Sequence, residues 1–427
     1  MSTSIFYSNK RVVCGAITVL AFLLFLILVG IDRSDEVATH TTTYFHRLKN
    51  MTATGSQPSS QQWATMKAYL SEIEAAVKDL RTSASSSSAA PLLSAATGPT
   101  GSMEDISNRT LGFEKIFAIS MPSRSDKRDS IAVQASLTNF DLEFVDGVAG
   151  DSVDKKALPW KMDQEPAVVG CWRAHLDVLQ RIVNENIQSA LIFEDDADWD
   201  IGIRAQLTQL ARGAKYLQRM EEDAVSSSPY GDKWDMLWLG HCGQFTMASD
   251  KRRFVIPEDP TVEPTEYRKY WLENPNMSKW DLPSNAVNDT RIIFRSSGGI
   301  CTAGLAISLA GARKALVHMS MSPFNKPVDW GYDGLCKNKD MNGFCISSFP
   351  AMIGVSRPAG PRSKNSDITV HEGVFEHPVS NRTNFSTRLN IRRLINGSKK
   401  FRSNYNPEIQ LTIEEIGAGV GHVEDMS

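Results

Sequence analysis

The fold and the site both depend on LIFEDDADWD, residues 191–200. Residues 190–193 form a short apolar run, which is typical of a buried strand, and five carboxylates follow within positions 194–200. Such a cluster repels itself and is costly to desolvate unless a cation or solvent relieves it. Open α/β sheets bind ligands just beyond the carboxyl ends of their strands. The run therefore predicts a divalent-metal site, with a solvated acidic loop as the alternative.

The N-terminal region predicts a membrane anchor. Residues 12–31 are uncharged and at 1.5 Å per residue would span about 30 Å, the thickness of a bilayer core. Lys10 and Arg11 precede the span, so the positive-inside rule puts residues 1–11 in the cytoplasm. We expect a single-pass type II membrane protein of the Golgi or ER with a lumenal body. All seven glycosylation sequons lie beyond the span, at Asn50, Asn108, Asn276, Asn288, Asn381, Asn384 and Asn396.

Residues 32–110 are predicted to form a stem rich in Ser, Ala and Thr, because residues 82–102 hold too few large apolar side chains to bury a core. One short helix is predicted at 61–81. Its apolar residues follow a heptad pattern, at Trp63, Met66, Leu70, Ile73, Val77 and Leu80. This helix either packs alone against the body or the membrane, or pairs two chains into a homodimer.

The catalytic body is predicted at 111–396, with a polar, loose tail at 397–427. Apolar runs at 113–120, 142–148 and 235–240 alternate with amphipathic segments such as 168–187. This alternation predicts a three-layer α/β body with a largely parallel, Rossmann-like sheet. Residues 250–297 are rich in Pro, Asn and aromatic residues and are interpreted as a long insertion. The composition is globular, and the net charge of −3 gives no reason to expect a nucleic-acid partner.

Seven motifs in a fixed order resemble glycosyltransferase family 25, which includes bacterial lipooligosaccharide and procollagen galactosyltransferases. The matching segments are Arg124 and Arg128 after the first strand, VDG at 145–147, VGCWRAH at 169–175, IFEDD at 192–196, WDMLWLG at 234–240, TAGLAIS with GARK at 302–308 and 311–314, and PVD at 327–329. Ser120 and Ala174 depart from the family pattern, as does the insertion between 241 and 301.

The resemblance implies a GT-A type fold and inverting transfer of a hexose, galactose first, from a nucleotide diphosphate sugar. A UDP-sugar is the preferred donor, and the acceptor would be a glycan or glycoprotein. The leaving diphosphate develops negative charge, which Mn²⁺ or Mg²⁺ usually stabilises. Asp196 is predicted as the metal ligand, Glu194 as its helper and Asp198 as the alternative. His241 is a candidate third ligand.

An inverting transfer needs a general base, for which Asp329 and then Asp333 are the candidates; both could instead cap a turn. His175 is expected either to be a satisfied core histidine or to contact the donor. Arg124 and Arg128 could bind the diphosphate, or they could be solvated helix charges. These two arginines, His175 and Glu194 make up the predicted donor-binding set.

Five cysteines follow the span and would face an oxidising lumen, so at least one either remains free or pairs between chains. Cys336–Cys345 is the expected bridge. Two other functions stay open. The body could be a carbohydrate-binding or scaffold protein on a catalytically silent fold, or a metal-dependent phosphate-ester hydrolase.

Overall fold

The computed structural model describes residues 101–221, 224–269, 275–281, 289–362, 365–368 and 373–425. The predicted tail 1–11, the anchor 12–31, the helix 61–81 and most of the stem lie outside these residues. Within the described part of the chain, none of the helices is long and apolar enough to cross a bilayer.

The strands are short, and most of their residues are buried. They are β1 (Lys115–Ser120), β2 (Leu142–Asp146), β3 (Ser189–Glu194), β4 (Ala197–Trp199), β5 (Met236–Gly240), β6 (Gln244–Thr246), β7 (Arg252–Ile256), β8 (Arg291–Gly299), β9 (Gly304–Ser308), β10 (Cys345–Phe349), β11 (Ile353–Arg357), β12 (Gly360–Pro361), β13 (Val374–Phe375), β14 (Val379–Asn381), β15 (Phe401–Arg402), β16 (Gln410–Leu411) and β17 (His422–Asp425).

Helices connect many of these strands. They are α1 (Ser125–Leu137), α2 (Pro166–Asn184), α3 (Ile203–Leu217), α4 (Leu309–Leu316), α5 (Val328–Lys337), α6 (Ile391–Ile395) and α7 (Ile413–Ile416). A 3₁₀ turn at Met103–Ser107 precedes β1, and its Ile106 is buried. Ordered structure therefore begins before position 111, where the body was expected to start.

The main sheet is mixed, so the prediction of a largely parallel sheet is wrong. Nine of its ten described strands follow the order β17-β7-β8-β10-β5-β9-β3-β1-β2, and β6 pairs with β8. β1 runs parallel to β2 and β3, and β5 runs parallel to β10. β9 lies antiparallel between β3 and β5, and β7, β8 and β17 extend the sheet with antiparallel pairs. Periodicity identifies strands but carries no information on the direction of the partner.

The three-layer arrangement is confirmed. Successive strand residues alternate between two cores: Leu191 and Phe193 pack with α1 and α3 on one face, while Ala190 and Ile192 pack with α2, α4 and α5 on the other. A strand that is covered on both faces reads as a continuous apolar run, as 190–193 does.

The structure changes the interpretation of two segments, the predicted insertion at 250–297 and the predicted loose tail at 397–427. Residues 250–297 contribute β7 and most of β8 to the main sheet, and the described residues between these two strands are mostly irregular. Residues 397–425 do not form a loose tail. β17 pairs with β7 along its whole length, and Phe401 and Ile416 form a buried cluster with Ile201 and Phe385. A few apolar side chains are enough to order a polar segment when they pack against the surface of an already folded body.

The expected disulfide between Cys336 and Cys345 is confirmed, and a second bridge joins Cys242 to Cys301. The second bridge ties the loop after β5 to the loop before β9. Cys171 carries a free thiol.

Candidate active site

A cleft of about 270 Å³ opens at the carboxyl ends of β1 and β3. Its walls come from the ends of these strands, from α1, from the loop after β2, from α2 and from residues 365–368. The lining residues that carry chemistry are Lys127, Cys171, His175, Glu194, Asp195, Asp196 and Asp367.

Gly170 brings α2 against the loop after β2. A Cβ atom at this position would lie 2.2 Å from the carbonyl oxygen of Val148, so only glycine allows the approach. This packing places the next turn of α2, with Cys171 and His175, beside the end of β3. The glycine of the VGCWRAH motif thus has a structural reason that bears directly on the cleft.

Glu194 is the last residue of β3 and is held by its neighbours. Its Oε1 accepts a hydrogen bond of 2.5 Å from Oγ1 of Thr302 and lies 3.5 Å from Nε2 of His175. Burial by itself would raise the pKa of Glu194, but His175, Thr302 and the charge of Lys127 together lower it below its ordinary value. Glu194 therefore carries a negative charge at neutral pH.

Asp195 has an ion-pair partner, whereas one oxygen of Asp196 has no hydrogen-bond partner in the part of the chain that the structure describes. Oδ1 of Asp195 accepts a hydrogen bond of 2.7 Å from Nζ of Lys127. Oδ1 of Asp196 is buried and has no hydrogen-bond partner among the described residues. Burial raises the pKa of Asp196 to about 6, with the charges of Glu194 and Asp195 adding to the effect and Lys127 opposing it. Such an oxygen is suited to a cation, because a positive ion would supply the missing partner.

The other two acids of the run belong to a different environment. Asp198 is fully buried and accepts hydrogen bonds from the hydroxyls of Ser380 and Ser386 and from the amide of Arg388. Asp200 accepts hydrogen bonds from the amides of Gly202 and Phe385. These contacts tie β4 to the C-terminal segment, so we do not include Asp198 in the proposed metal site.

His241 is also occupied. Its Nε2 lies 2.8 Å from the carbonyl oxygen of Ser348, and its Nδ1 accepts a hydrogen bond from the amide of Gly243. Burial lowers the pKa of His241 to about 3, so the ring is neutral. Because both nitrogens are engaged, neither is available to a metal ion in this arrangement, and His241 is omitted from the proposed site.

The predicted arginines lie beside the cleft, and a lysine between them reaches into it. Nη1 of Arg124 donates to both oxygens of Asp367, at 2.8 Å, and its other nitrogens bind Asp126. Arg128 instead donates to the carbonyl of Ser120 and to Asp146, at the end of β2. Burial lowers the pKa of Lys127, but the charges of Asp196 and Asp195 more than compensate and raise it.

The two candidate bases, Asp329 and Asp333, differ in the groups that their carboxylates contact. Asp333 forms an ion pair of 2.8 Å with Lys337. Asp329 accepts hydrogen bonds from the amides of Cys301 and Trp330, and its charge interacts with that of Glu194. Burial is the main reason that the pKa of Asp329 is raised.

Sequence reasoning found the acids but not all of their partners. It gave no role to Lys127, Thr302, Asp367 or the thiol of Cys171. For Lys127 the signal was present, because it lies between the two arginines of a recognised motif. Asp367 could not have been found from local pattern, because it lies 243 positions from Arg124.

The mixed α/β fold places an acid-lined cleft at the carboxyl ends of β1 and β3, where open α/β sheets bind their ligands. The chain belongs to glycosyltransferase family 25, because the family model for LPS biosynthesis proteins matches residues 113–330.

Three curated relatives match between 36% and 51% of this chain. Procollagen galactosyltransferase 2 of Mus musculus is 20% identical over 235 residues, which is 51% of this chain and 30% of that protein. Procollagen galactosyltransferase 1 of Danio rerio is 22% identical over 175 residues, 38% of this chain and 26% of that one. Inactive glycosyltransferase 25 family member 3 of Homo sapiens is 26% identical over 168 residues, 36% of this chain and 24% of that one. The matched region thus covers less than a third of each of these relatives.

Proposed function

We propose that the folded body transfers a hexose from a nucleotide diphosphate sugar to a hydroxyl group of a glycan or glycoprotein, with inversion and with the help of Mn²⁺ or Mg²⁺. Galactose is the first candidate sugar, because two of the relatives above are named galactosyltransferases. UDP is the first candidate nucleotide, as the family resemblance implies. One observation carries the proposal. The buried Oδ1 of Asp196 has no partner in the described residues and lies at a strand end that a cleft exposes.

The donor set fits a hard divalent cation. Carboxylate oxygens are the protein ligands that Mg²⁺ and Mn²⁺ prefer, and these ions take few protein ligands in nucleotide sites. Asp196 would hold the ion and Glu194 would assist it. When bound, the ion would supply stabilisation for the negative charge that develops on the departing diphosphate.

The chain's own residues account for the remaining steps. Lys127, and Arg124 beside it, supply positive charge at the cleft for the diphosphate. In an inverting transfer, the acceptor oxygen bonds to the anomeric carbon while the bond from that carbon to the diphosphate oxygen breaks, and the electron pair leaves with the nucleotide diphosphate. The acceptor proton passes to a base, which we assign to Asp329. Its raised pKa favours accepting that proton, and Asp333 is already in an ion pair with Lys337.

A donor screen tests the proposal. The full-length chain in detergent is incubated with a panel of nucleotide sugars, with Mn²⁺ or with EDTA, and released nucleoside diphosphate is measured. We expect release from one UDP-hexose that depends on the metal. Asp177→Asn is the matched control, since Asp177 pairs with Arg173 on α2 and does not line the cleft. This variant should keep wild-type release.

A catalytically silent carbohydrate-binding protein is the second candidate, because one matched relative is named as inactive. If every donor stays intact while the folded chain still binds glycans, this second function replaces the first.

The membrane anchor at 12–31, the lumenal location in the Golgi or ER and a homodimer formed through 61–81 are part of the same proposal. Protease protection in microsomes and loss of mass on glycosidase treatment test the orientation. Deletion of 60–82 tests the dimer, and an unchanged oligomer in detergent would contradict it.

A further inference from the structure

A second group of ligand atoms lies on the α2 side of the cleft. Cys171 and His175 are four positions apart on α2, so their side chains lie on one helix face. Glu194 at the end of β3 faces them. The ligand atoms of these three residues all lie within 4.8 Å of one another.

The histidine supplies the independent observation. His175 is 1% exposed, and its Nε2 has no hydrogen-bond partner among the described residues. This nitrogen lies 3.5 Å from Oε1 of Glu194. With metal–nitrogen and metal–oxygen bonds of about 2.0–2.2 Å, two such ligands of a tetrahedral ion are separated by about 3.3–3.6 Å. The nitrogen and the carboxylate oxygen thus already have the separation of two ligands on one ion.

The other ring nitrogen has a partner that suits this role. Nδ1 of His175 lies 3.3 Å from the hydroxyl oxygen of Tyr332, which is fully buried. In the metal-bound state Nδ1 would carry the ring proton and donate it to that oxygen, so Nε2 would direct a lone pair to the ion in place of the proton that it directs to Glu194 in the metal-free protein. Metal-binding histidines are usually oriented by such a contact from the second nitrogen.

We propose that Cys171, His175 and Glu194 form a three-ligand site for a thiophilic divalent cation of the Zn²⁺ class, with the fourth position open to the cleft. A thiolate and an imidazole select Zn²⁺ over Mg²⁺ and Mn²⁺, which the carboxylate of Asp196 suits better. Binding releases the thiol proton of Cys171 to solvent, and the sulfur then bonds to the metal.

Because Glu194 belongs to both sites, the cation also has a consequence for the proposed transfer. Zn²⁺ bound to Cys171, His175 and Glu194 would occupy the carboxylate of Glu194, which assists Asp196 in the proposed transfer. Zn²⁺ should therefore inhibit donor turnover. That consequence rests on the proposed function, whereas the binding itself does not.

Cobalt provides a direct probe of the sulfur ligand. The full-length chain is prepared with both disulfides intact and its free thiols reduced. It is then titrated with Co²⁺ in the absence of any sugar donor. We expect a thiolate-to-cobalt charge-transfer band in the near ultraviolet that saturates at one equivalent and disappears when Zn²⁺ is added. An excess of Mg²⁺ should leave the band unchanged.

Variants assign the band to this site. Cys171→Ser should abolish it, and Cys14→Ser, which removes the other thiol outside the two bridges, should retain it. Tyr332→Phe should weaken Co²⁺ binding roughly 10-fold, the lower limit for loss of a residue that orients a ligand. Should Cys171→Ser fail to fold, His175→Asn takes its place, with the melting temperature as the check on folding.

A band that persists in Cys171→Ser, or the absence of a saturable band in the reduced full chain, would overturn the site. Neither result depends on turnover, so failure of the transferase proposal is seen separately, in the donor screen. If the enzyme is active, Zn²⁺ should inhibit donor turnover by the wild type, and the Cys171→Ser variant should lose that inhibition when each protein is compared with its own turnover in Mn²⁺ alone.

Discussion

Asp196 and Asp198 lie two positions apart in one acidic run, and they differ in the hydrogen-bond donors around their carboxylates. Oδ1 of Asp196 has no hydrogen-bond partner in the described residues and lies at a cleft. Asp198 accepts hydrogen bonds from two serine hydroxyls and a backbone amide, and it is 0% exposed. Asp196 therefore has an oxygen for the proposed metal ion, whereas the oxygens of Asp198 are hydrogen-bonded within the fold.

The comparison also shows which measure separates functional from structural acids. Burial raises the pKa of Asp196, of Asp198 and of Asp200, so the direction of the shift does not distinguish them. What distinguishes them is the supply of donors. Asp198 receives its donors from residues 380–388, and Asp200 receives one from Phe385 and one from Gly202. One oxygen of Asp196 receives no hydrogen bond from the described residues.

The largest effect should come from Asp196→Asn. Loss of one preorganised charge contact at a reacting phosphate should lower kcat/KM roughly 100- to 1000-fold, by analogy with loss of one oxyanion donor. The melting temperature should stay the same or rise, because the variant removes a buried charge. Release of nucleoside diphosphate and thermal unfolding measure the two. Near-native turnover with bound Mn²⁺ would show that the two acids do not differ in the way proposed.

Asp198→Ala should produce the converse pattern. Removing this carboxylate leaves the hydroxyls of Ser380 and Ser386 buried with fewer acceptors, at a cost of about 2–3 kcal/mol in the free energy of unfolding. Turnover per folded molecule should stay within about twofold of wild type, since no contact with the cleft is lost. Urea unfolding monitored by fluorescence provides the measurement. Loss of activity without loss of stability would place Asp198 in the catalytic machinery after all.

The sequence predicted the acids of this comparison and placed Asp196 before Asp198 as the metal ligand, but it held no observation that excludes Asp198. A run such as 190–193 identifies a strand that is buried on both faces, and the carboxylates after it identify the strand end. Because the partners of Asp198 come from residues 380–388, nearly two hundred positions away, no local pattern contains them.

The same limit explains the error in the C-terminal region. Residues 397–425 are polar on average and read as a tail, yet they supply the edge strand β17 and the cover over Ile201. Strand pairing uses backbone groups, which every residue type provides, so composition carries little signal for an edge strand. The reversed direction of β9 was missed for the same reason.

A pH series can sharpen the comparison through Asp200. Burial raises the pKa of Asp200 from 3.8 to about 7 in the folded chain, despite hydrogen bonds from two amides. The folded chain therefore binds more protons than the unfolded chain between these values, so stability falls as pH rises. A folded-state pKa near 7 implies that Asp200 contributes a loss of about 1.4 kcal/mol between pH 6 and 8.

The Asp200→Asn variant isolates that contribution from other groups. We expect the difference in unfolding free energy between variant and wild type to shift by about 1.4 kcal/mol in favour of the variant from pH 6 to pH 8. Urea titrations at the two pH values give the numbers. A difference that stays constant would mean that Asp200 is ionised throughout, and that its amide donors balance its burial.

The smallest effect concerns an acid from a distant segment. Asp367 forms an ion pair of 2.8 Å with Arg124 and lies 3.8 Å from Nζ of Lys127. Its carboxylate would therefore compete with the diphosphate of the proposed donor for these two cations. Its side chain is 47% exposed, and exposed ion pairs contribute about 0.2–1 kcal/mol. We therefore expect Asp367→Asn to lower the KM for the donor about two- to threefold and to leave kcat unchanged.

Glu185→Gln is the control for this prediction. It breaks a similarly exposed ion pair with Arg181 away from the cleft and should change neither KM nor kcat. If Asp367→Asn instead raises KM, the carboxylate holds the two cations in place for the donor and does not compete with it, which would group Asp367 with the structural acids Asp198 and Asp200.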